Sequence, residues 1–331
     1  MGFSPEIAIA ATVSSGAGTG VARAILARRG VLDSPNHRSL HEIPVVRGGG
    51  IGVAIGVLVA ELWATTAGRS QLWVIALGAV VLGAVGLADD LRQGTPPVVR
   101  LGLQVIVGVI VATLLIGSSN HATLWIIGGV LLGGAWVVGF VNCFNFMDGV
   151  NGISGVSSIV TGCVFLVLGA LHHLDLLTIG GSALICGDAG FLPWNFPKAK
   201  IFLGDVGSYF IGATIAGFGI YAATRGVPPI QVLAPSMLYL TDVAFTLVVR
   251  YRRHERLTEA HRDHVFQRLV ASGWTHVQVV AVVAGFAGLQ SAAVLEWYHG
   301  WVLIVGVLIA GVISCTYLAL PAMVLRRQRR H

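Results

Sequence analysis

Eleven apolar runs, each about 17–24 residues long and nearly free of charge, occupy residues 5–27, 48–67, 72–88, 101–117, 123–141, 153–171, 177–193, 206–222, 230–249, 276–295 and 301–324. About 20 such residues cross the hydrocarbon core of a bilayer as a helix. The runs are continuously apolar, whereas the strands of a membrane barrel alternate apolar and polar residues. The connections are too short for a separate soluble domain, so residues 1–331 read as a single transmembrane domain. Charged residues make up 11% of the chain, against about 25% in a soluble domain. That excludes a soluble globular enzyme, and the 55% hydrophobic content excludes disorder. The expected fold is an all-α polytopic integral membrane protein with about eleven spans, or ten.

Lys and Arg set the expected orientation. With the N-terminus outside, eighteen of the 21 fall in the inside loops 28–47, 89–100, 194–205 and 250–275 and in the C-terminal tail. Only Arg69 and Arg225 fall outside. The N-terminus is therefore expected outside and the C-terminus in the cytoplasm. Basic loops facing an anionic leaflet account for the net charge of +6, so no nucleic-acid partner is expected. Cys143, Cys163, Cys186 and Cys315 show no CxxC spacing and none lies in an outside loop, so neither a disulfide nor a zinc site is expected. No basic segment precedes the first span, which reads as retained rather than cleaved.

Most of the fifteen carboxylates sit on or next to the inside face. A transporter gathers its polar groups near the midplane, on broken helices. Here only Asp188 is clearly deep, so a transporter or lipid flippase is the weaker reading. Chemistry at the cytoplasmic interface, between a soluble and a lipid substrate, is the stronger. Asp89 and Asp90 end one span together. Two carboxylates there need a counter-ion, either a divalent cation or simply Arg92. Asp148 in NFMDGVNG and Asp205 in FLGDVGS sit among glycines, with Asn145 nearby. Such turns expose amides to phosphate oxygens or merely cap spans, and oxygen ligands of this kind suit Mg²⁺. His261 and His264 share a helical face beside Arg262 and Arg268, a cluster suited to a diphosphate. Lys198 and Lys200 bind phosphate or only fix topology. His41 and Arg47 flank Gly48–Gly50 and extend the basic wall. Asp242 reads as structural support pairing with Arg250.

From Asp33 to Leu269 these motifs resemble, in order, the polyprenyl-phosphate N-acetylhexosamine-1-phosphate transferases, which include phospho-N-acetylmuramoyl-pentapeptide transferase. The matching elements are the Gly48–Gly50 loop after HxxP, Asp89-Asp90, NxxNxxDGxxG at 142–152, and GDxGS at 204–208. The family has ten or eleven spans and transfers a sugar phosphate from a UDP-N-acetyl-hexosamine to undecaprenyl phosphate, releasing UMP. The last motif, His261-Arg262-Asp263-His264 through Gln267-Arg268, departs from the tighter histidine cluster of many members and looks like the O-antigen-initiating branch. Asn151 stands where many members have Asp, leaving it a weaker ligand or hydrogen-bond donor.

The resemblance implies Mg²⁺, with Mn²⁺ as a substitute, and Asp205 as its principal ligand. Asp89 would orient or deprotonate the lipid phosphate, with Asp90 in support. Asp148, Asn142 and Asn145 would bind the metal-nucleotide or sugar phosphate, making Asp205, Asp148 and Asn142 the expected metal set. His261, Arg262 and His264 would hold the diphosphate or sugar, and Asn195 would touch uracil. It also implies a bacterial inner-membrane protein whose active site is built from loops 28–47, 89–100, 142–152, 194–208 and 250–275 on the cytoplasmic face. Members of the family can form homodimers.

Overall fold

The computed structural model describes residues 4–35, 43–64, 70–92, 95–117, 123–256, 261–295 and 301–328. The helices are α1 (Pro5–Arg28), α2 (Gly50–Ala64), α3 (Ser70–Arg92), α4 (Pro97–Ile116), α5 (Thr123–Met147), α6 (Ile153–Leu171), α7 (Asp175–Asn195), α8 (Gly204–Thr224), α9 (Pro229–Leu233), α10 (Met237–Arg252), α11 (Val265–Ala271), α12 (His276–Leu295) and α13 (Trp301–Gln328). Each expected apolar run is mostly helical among the described residues. Among the described residues nine passages are long and apolar enough to cross a membrane, counting 229–252 as one. The two runs that fall short are α1, diluted by Ser, Thr and Gly, and α2, which has only 15 residues. The run 230–249 is not one helix. Pro235 breaks it into α9, a 3₁₀ turn at Ala234–Ser236, and α10, because proline removes a backbone donor and crowds the preceding turn.

α8 is the axis of the bundle. Every residue from Gly204 to Ala222 is buried, against α3, α5 and α2 among others. Small residues permit this, since close backbone approach drives helix packing in lipid. A Cβ on Gly50 would meet the Gly207 backbone, and one on Gly86 would meet the Asp205 carbonyl. Around this axis α1, α2 and α7 pack on one another, as do α6 with α7 and α4 with α5. The outer surface carries exposed Leu101, Ile106, Leu131, Leu132, Leu308 and Val312, as a lipid-facing surface must.

Three short strands, unexpected from the sequence, brace one end of the bundle. β1 (Leu32–Asp33), β2 (Val45–Arg47) and β3 (Ile201–Phe202) form a sheet in that order. β1 and β2 are antiparallel; β2 and β3 are parallel, with Val46 opposite Ile201 and Arg47 opposite Phe202. The chain then turns through Gly48 at φ +113° into α2. On the other side it turns through Gly204 at φ +77° into α8. The sheet thus sets Arg47 beside the first turn of α8. Several helices outrun their apolar stretches at this end, so Asp89, Asp90, Asn142, Asn145 and Asn195 lie in terminal helical turns rather than in loops.

Candidate active site

The first turn of α8 and the last turn of α3 meet through Asp90. Its Oδ1 accepts the Asp205 amide and its Oδ2 the Val206 amide, both at 3.0 Å. A helix N-terminus offers unpaired amides and a positive dipole end, so a carboxylate caps it well. Gly204 leaves room for this cap, because a Cβ there would lie 2.6 Å from Asp90 Oδ2. Asp90 also takes the Arg47 Nε at 2.6 Å. Its oxygens are therefore committed to holding α8 and Arg47 in place.

Asp205 is gripped by the same guanidinium, Arg47 Nη2 to Oδ1 at 2.6 Å. Asn145 of α5 donates to that oxygen and to Ser208 Oγ, both at 2.9 Å. Asp89 takes a second guanidinium, Arg100 Nη1 of α4, at 2.6 Å on Oδ2, and the Thr95 amide at 3.0 Å on Oδ1. Arg100 also lies 3.7 Å from Asp205 Oδ2. The Asp89 and Asp205 carboxyls are close enough to hydrogen-bond each other. Three carboxylates and two guanidiniums thus interlock across α3, α4, α8 and β2. Burial pulls the Arg47 guanidinium down, but Asp205, Asp90 and Asp33 outweigh it and hold the group above its ordinary value.

Asp148 lies in the turn between α5 and α6 and accepts the Ser154 hydroxyl at 2.7 Å. Desolvation pushes its carboxyl up to about 7, with Asp205 adding to the rise and Ser154 and Arg47 opposing it. It is near enough to Asp205 to feel that charge, and both feel the Arg47 guanidinium.

Several expected residues point elsewhere. Asn142 donates to Gln104 Oε1 at 2.6 Å and to the Val138 carbonyl, tying α5 to α4. Asn195 is buried with both ends spent, accepting the Gly152 amide at 2.6 Å and donating to the Ile201 carbonyl at 3.0 Å. Asn151 donates to the Pro197 carbonyl. Gln267 accepts the His264 amide and caps α11. Lys200 lies over the Trp194 ring, and its carbonyl accepts from Arg23. Arg262 and Arg268 are exposed. His41 lies outside the described residues. The expected set of Asp205, Asp148 and Asn142 does not converge, and among the described residues no three His, Cys, Asp or Glu side chains form a cluster that could hold a metal.

Two expected pairings are corrected. Asp89 pairs with Arg100, not Arg92, because α4 returns Arg100 to the end of α3. Asp242 does not pair with Arg250. That guanidinium is held by Asp263 at 2.6 Å and Glu255 at 2.8 Å, while Asp242 accepts from His264, Val265, Thr246 and Tyr317. The His261 and His264 rings are 5.0 Å apart, but not on a shared helical face, because α11 begins only at Val265 and residues 261–264 are irregular. Burial, with His264 and Arg250, pulls the His261 imidazole below its usual value. Asp188 is wholly buried in α7, near Gly155 and Ser158 of α6.

Sequence reasoning treated Arg100 as topological charge and missed Thr95, Ser154 and Ser208. The signal for Arg100 was its place at the start of the span following Asp89-Asp90.

The donor chemistry fits Mg²⁺ at one place. Asp89 and Asp205 lie together with the Arg100 guanidinium 2.6 Å from one and 3.7 Å from the other, and their oxygens would serve as a pair of ligands when that guanidinium turns to substrate, since two facing carboxylates need a cation beside them. Mg²⁺ characteristically takes one or two carboxylates and completes its shell with water and substrate phosphates.

The fold and site define a polytopic membrane protein with a carboxylate–guanidinium centre at one end of its bundle. Residues 72–223, which span α3 to α8, match the family described as glycosyl transferase family 4. The probable undecaprenyl-phosphate N-acetylglucosaminyl 1-phosphate transferase of Bacillus subtilis is 26% identical over 86% of this chain and 82% of its own length. The decaprenyl-phosphate N-acetylglucosaminephosphotransferase of Mycobacterium tuberculosis is 29% identical over 82% of this chain and 76% of its own. The phospho-N-acetylmuramoyl-pentapeptide-transferase of Symbiobacterium thermophilum is 31% identical over 69% and 64%. Residues 72–223 thus carry the family 4 match, and the relatives that align beyond it are named as polyprenyl-phosphate sugar-1-phosphate transferases.

Proposed function

We propose that this protein transfers N-acetylglucosamine 1-phosphate from UDP-N-acetylglucosamine to a polyprenyl phosphate such as undecaprenyl phosphate, at the cytoplasmic face of a bacterial inner membrane. An oxygen of the lipid phosphate bonds to the sugar-bearing phosphorus. The bond from that phosphorus to the bridging oxygen breaks, and UMP leaves with the electron pair. The product starts a cell-surface polysaccharide, and the enzymes that extend it decide whether the polymer is O-antigen-like or another. The match to this family weighs against the transporter reading.

The facing Asp89–Asp205 pair between two guanidiniums carries this reading. The reaction brings two phosphate-bearing anions together, so catalysis is mostly positioning and charge stabilisation. Mg²⁺ would be held by Asp89 and Asp205 and would offset charge on the diphosphate. Arg47 and Arg100 already form ion pairs and can pass from carboxylate to phosphate oxygens as substrate arrives. Asp89 orients the lipid phosphate or takes its proton, and Asn145 keeps Asp205 turned toward Asp89. The polyprenyl chain stays in the bilayer while its phosphate reaches the interfacial site.

The test is to incubate purified protein with undecaprenyl phosphate, Mg²⁺ and a panel of UDP-N-acetyl-hexosamines, and to measure UMP and lipid product together. UMP is expected from UDP-N-acetylglucosamine and is expected to vanish with EDTA. A folded protein that releases no UMP from any donor would refute the reading.

A further inference from the structure

Across the Asp148 turn lies a second buried carboxylate that the transfer chemistry leaves unused. Asp242 of α10 is fully buried. The Val265 amide reaches both its oxygens at 3.1 Å, the Thr246 hydroxyl reaches Oδ1 at 3.2 Å, and the Tyr317 hydroxyl of α13 reaches Oδ2 at 2.9 Å. His264 Nδ1 lies 3.0 Å from Oδ1. A carboxylate only accepts, so Nδ1 is the nitrogen that donates here, and Nε2 is left for another partner.

Capping α11 would need only the Val265 amide. Two features go beyond a cap. Tyr317 reaches in from the last helix, 75 positions away, and braces the oxygen that His264 does not use. The segment also abuts the site: the His264 ring stacks on Phe266 at 5.7 Å, and a Cβ on Gly149, next to Asp148, would lie 2.8 Å from the Phe266 ring. Arg250, held by Asp263, and His261 stand on the same side of the cluster.

We propose that Asp242, braced by Tyr317, is a positioning residue that fixes the His264 imidazole through Nδ1 so that Nε2 meets the diphosphate of the nucleotide sugar. The hydrogen on Nε2 donates to a phosphate oxygen, and Asp242 balances the charge of the ring. This deepens the transferase reading and rests on it. A carboxylate orienting a functional imidazole is a recurrent device whose loss costs about 10–100-fold.

The experiment is a double-mutant cycle on the full-length protein, reading kcat and KM for UDP-N-acetylglucosamine from UMP release, with thermal unfolding as a check on folding. Asp242→Asn is expected to lower kcat/KM about 10–100-fold, and Tyr317→Phe less. The decisive expectation is that Asp242→Asn adds nothing to His264→Asn, because both remove the same interaction. Losses that multiply would make Asp242 merely structural and overturn the proposal. Tyr317→Phe deletes a single oxygen, so the cycle with His264→Asn decides the question even if Asp242→Asn does not fold. Wild-type protein that releases no UMP would instead refute the transferase reading, and this proposal with it.

Discussion

Asp90 and Asp242 are both buried carboxylates that accept backbone amides at the start of a helix, α8 in one case and α11 in the other. Their remaining partners differ. Asp90 shares the Arg47 guanidinium with Asp205, whereas Asp242 is closed off by a phenol, a hydroxyl and an imidazole. The first arrangement holds mobile counter-charge that an arriving phosphate can compete for. The second has no guanidinium to release and orients what touches it. A buried ion pair is weak evidence for stability, and its persistence beside Asp89 and Asp205 is better understood as preparation for anionic substrates.

The hardest blow to the first centre is Asp205→Asn or Asp89→Asn. Either is expected to reduce UMP release about 10²–10³-fold, the scale of losing one preorganised electrostatic contact. Turnover retained with unchanged Mg²⁺ dependence would remove Asp205 from the metal. Asp90→Ala should separate the two neighbours on α3. It strands two amides of α8 and is expected to cost about 2–4 kcal/mol in unfolding free energy. Asp89→Ala should lose activity with little change in unfolding, and equal destabilisation by both would break the distinction.

Asn195→Ala sharpens the same division between holding and reacting. With both ends of that amide on backbone groups, the variant should lose about 1–3 kcal/mol while the KM for the nucleotide sugar stays within about twofold. A large rise in KM would return Asn195 to the nucleotide. A pH-dependent effect is expected at Asp148. Its carboxyl is held up to about 7, whereas an unfolded Asp ionises near 3.9. Below about pH 3 both states are protonated. As pH climbs toward 7 the unfolded state gains stability by ionising first, so the fold loses stability across that window. Asp148→Asn removes the effect, so its melting temperature should exceed the wild-type value by more at pH 8 than at pH 4. An unchanging difference would show that Asp148 is not desolvated.

The eleven apolar runs were legible because length and continuity alone specify a span. The break at Pro235 was hidden inside a run whose hydropathy never falters. The site was legible as residue types on one face, and less so as partners. Adjacency of Asp89 and Asp90 says that they point about 100° apart, but not that one meets Arg100 and the other the amides of α8. Asn142 and Asn195 carry the same side chain as Asn145 at the same end of the bundle. Only packing decides that Asn145 faces Asp205, while Asn142 faces Gln104 and Asn195 faces Gly152. Because these turns are polar yet helical, reading them as loops also placed the side chains on the wrong kind of scaffold.

The wide separation of partners along the chain has a consequence for biogenesis. Asp90 reaches amides 115 and 116 positions further on, and ribosomes add about 5–20 residues per second. The end of α3 therefore waits roughly 6–23 s for α8 to be made, with Arg47, Thr95 and Arg100 the site residues already there to serve its carboxylates. Asp242 then waits for Tyr317, in the final helix. The reaction centre is thus finished late in membrane insertion, and an unfinished chain carries apolar spans but no working chemistry.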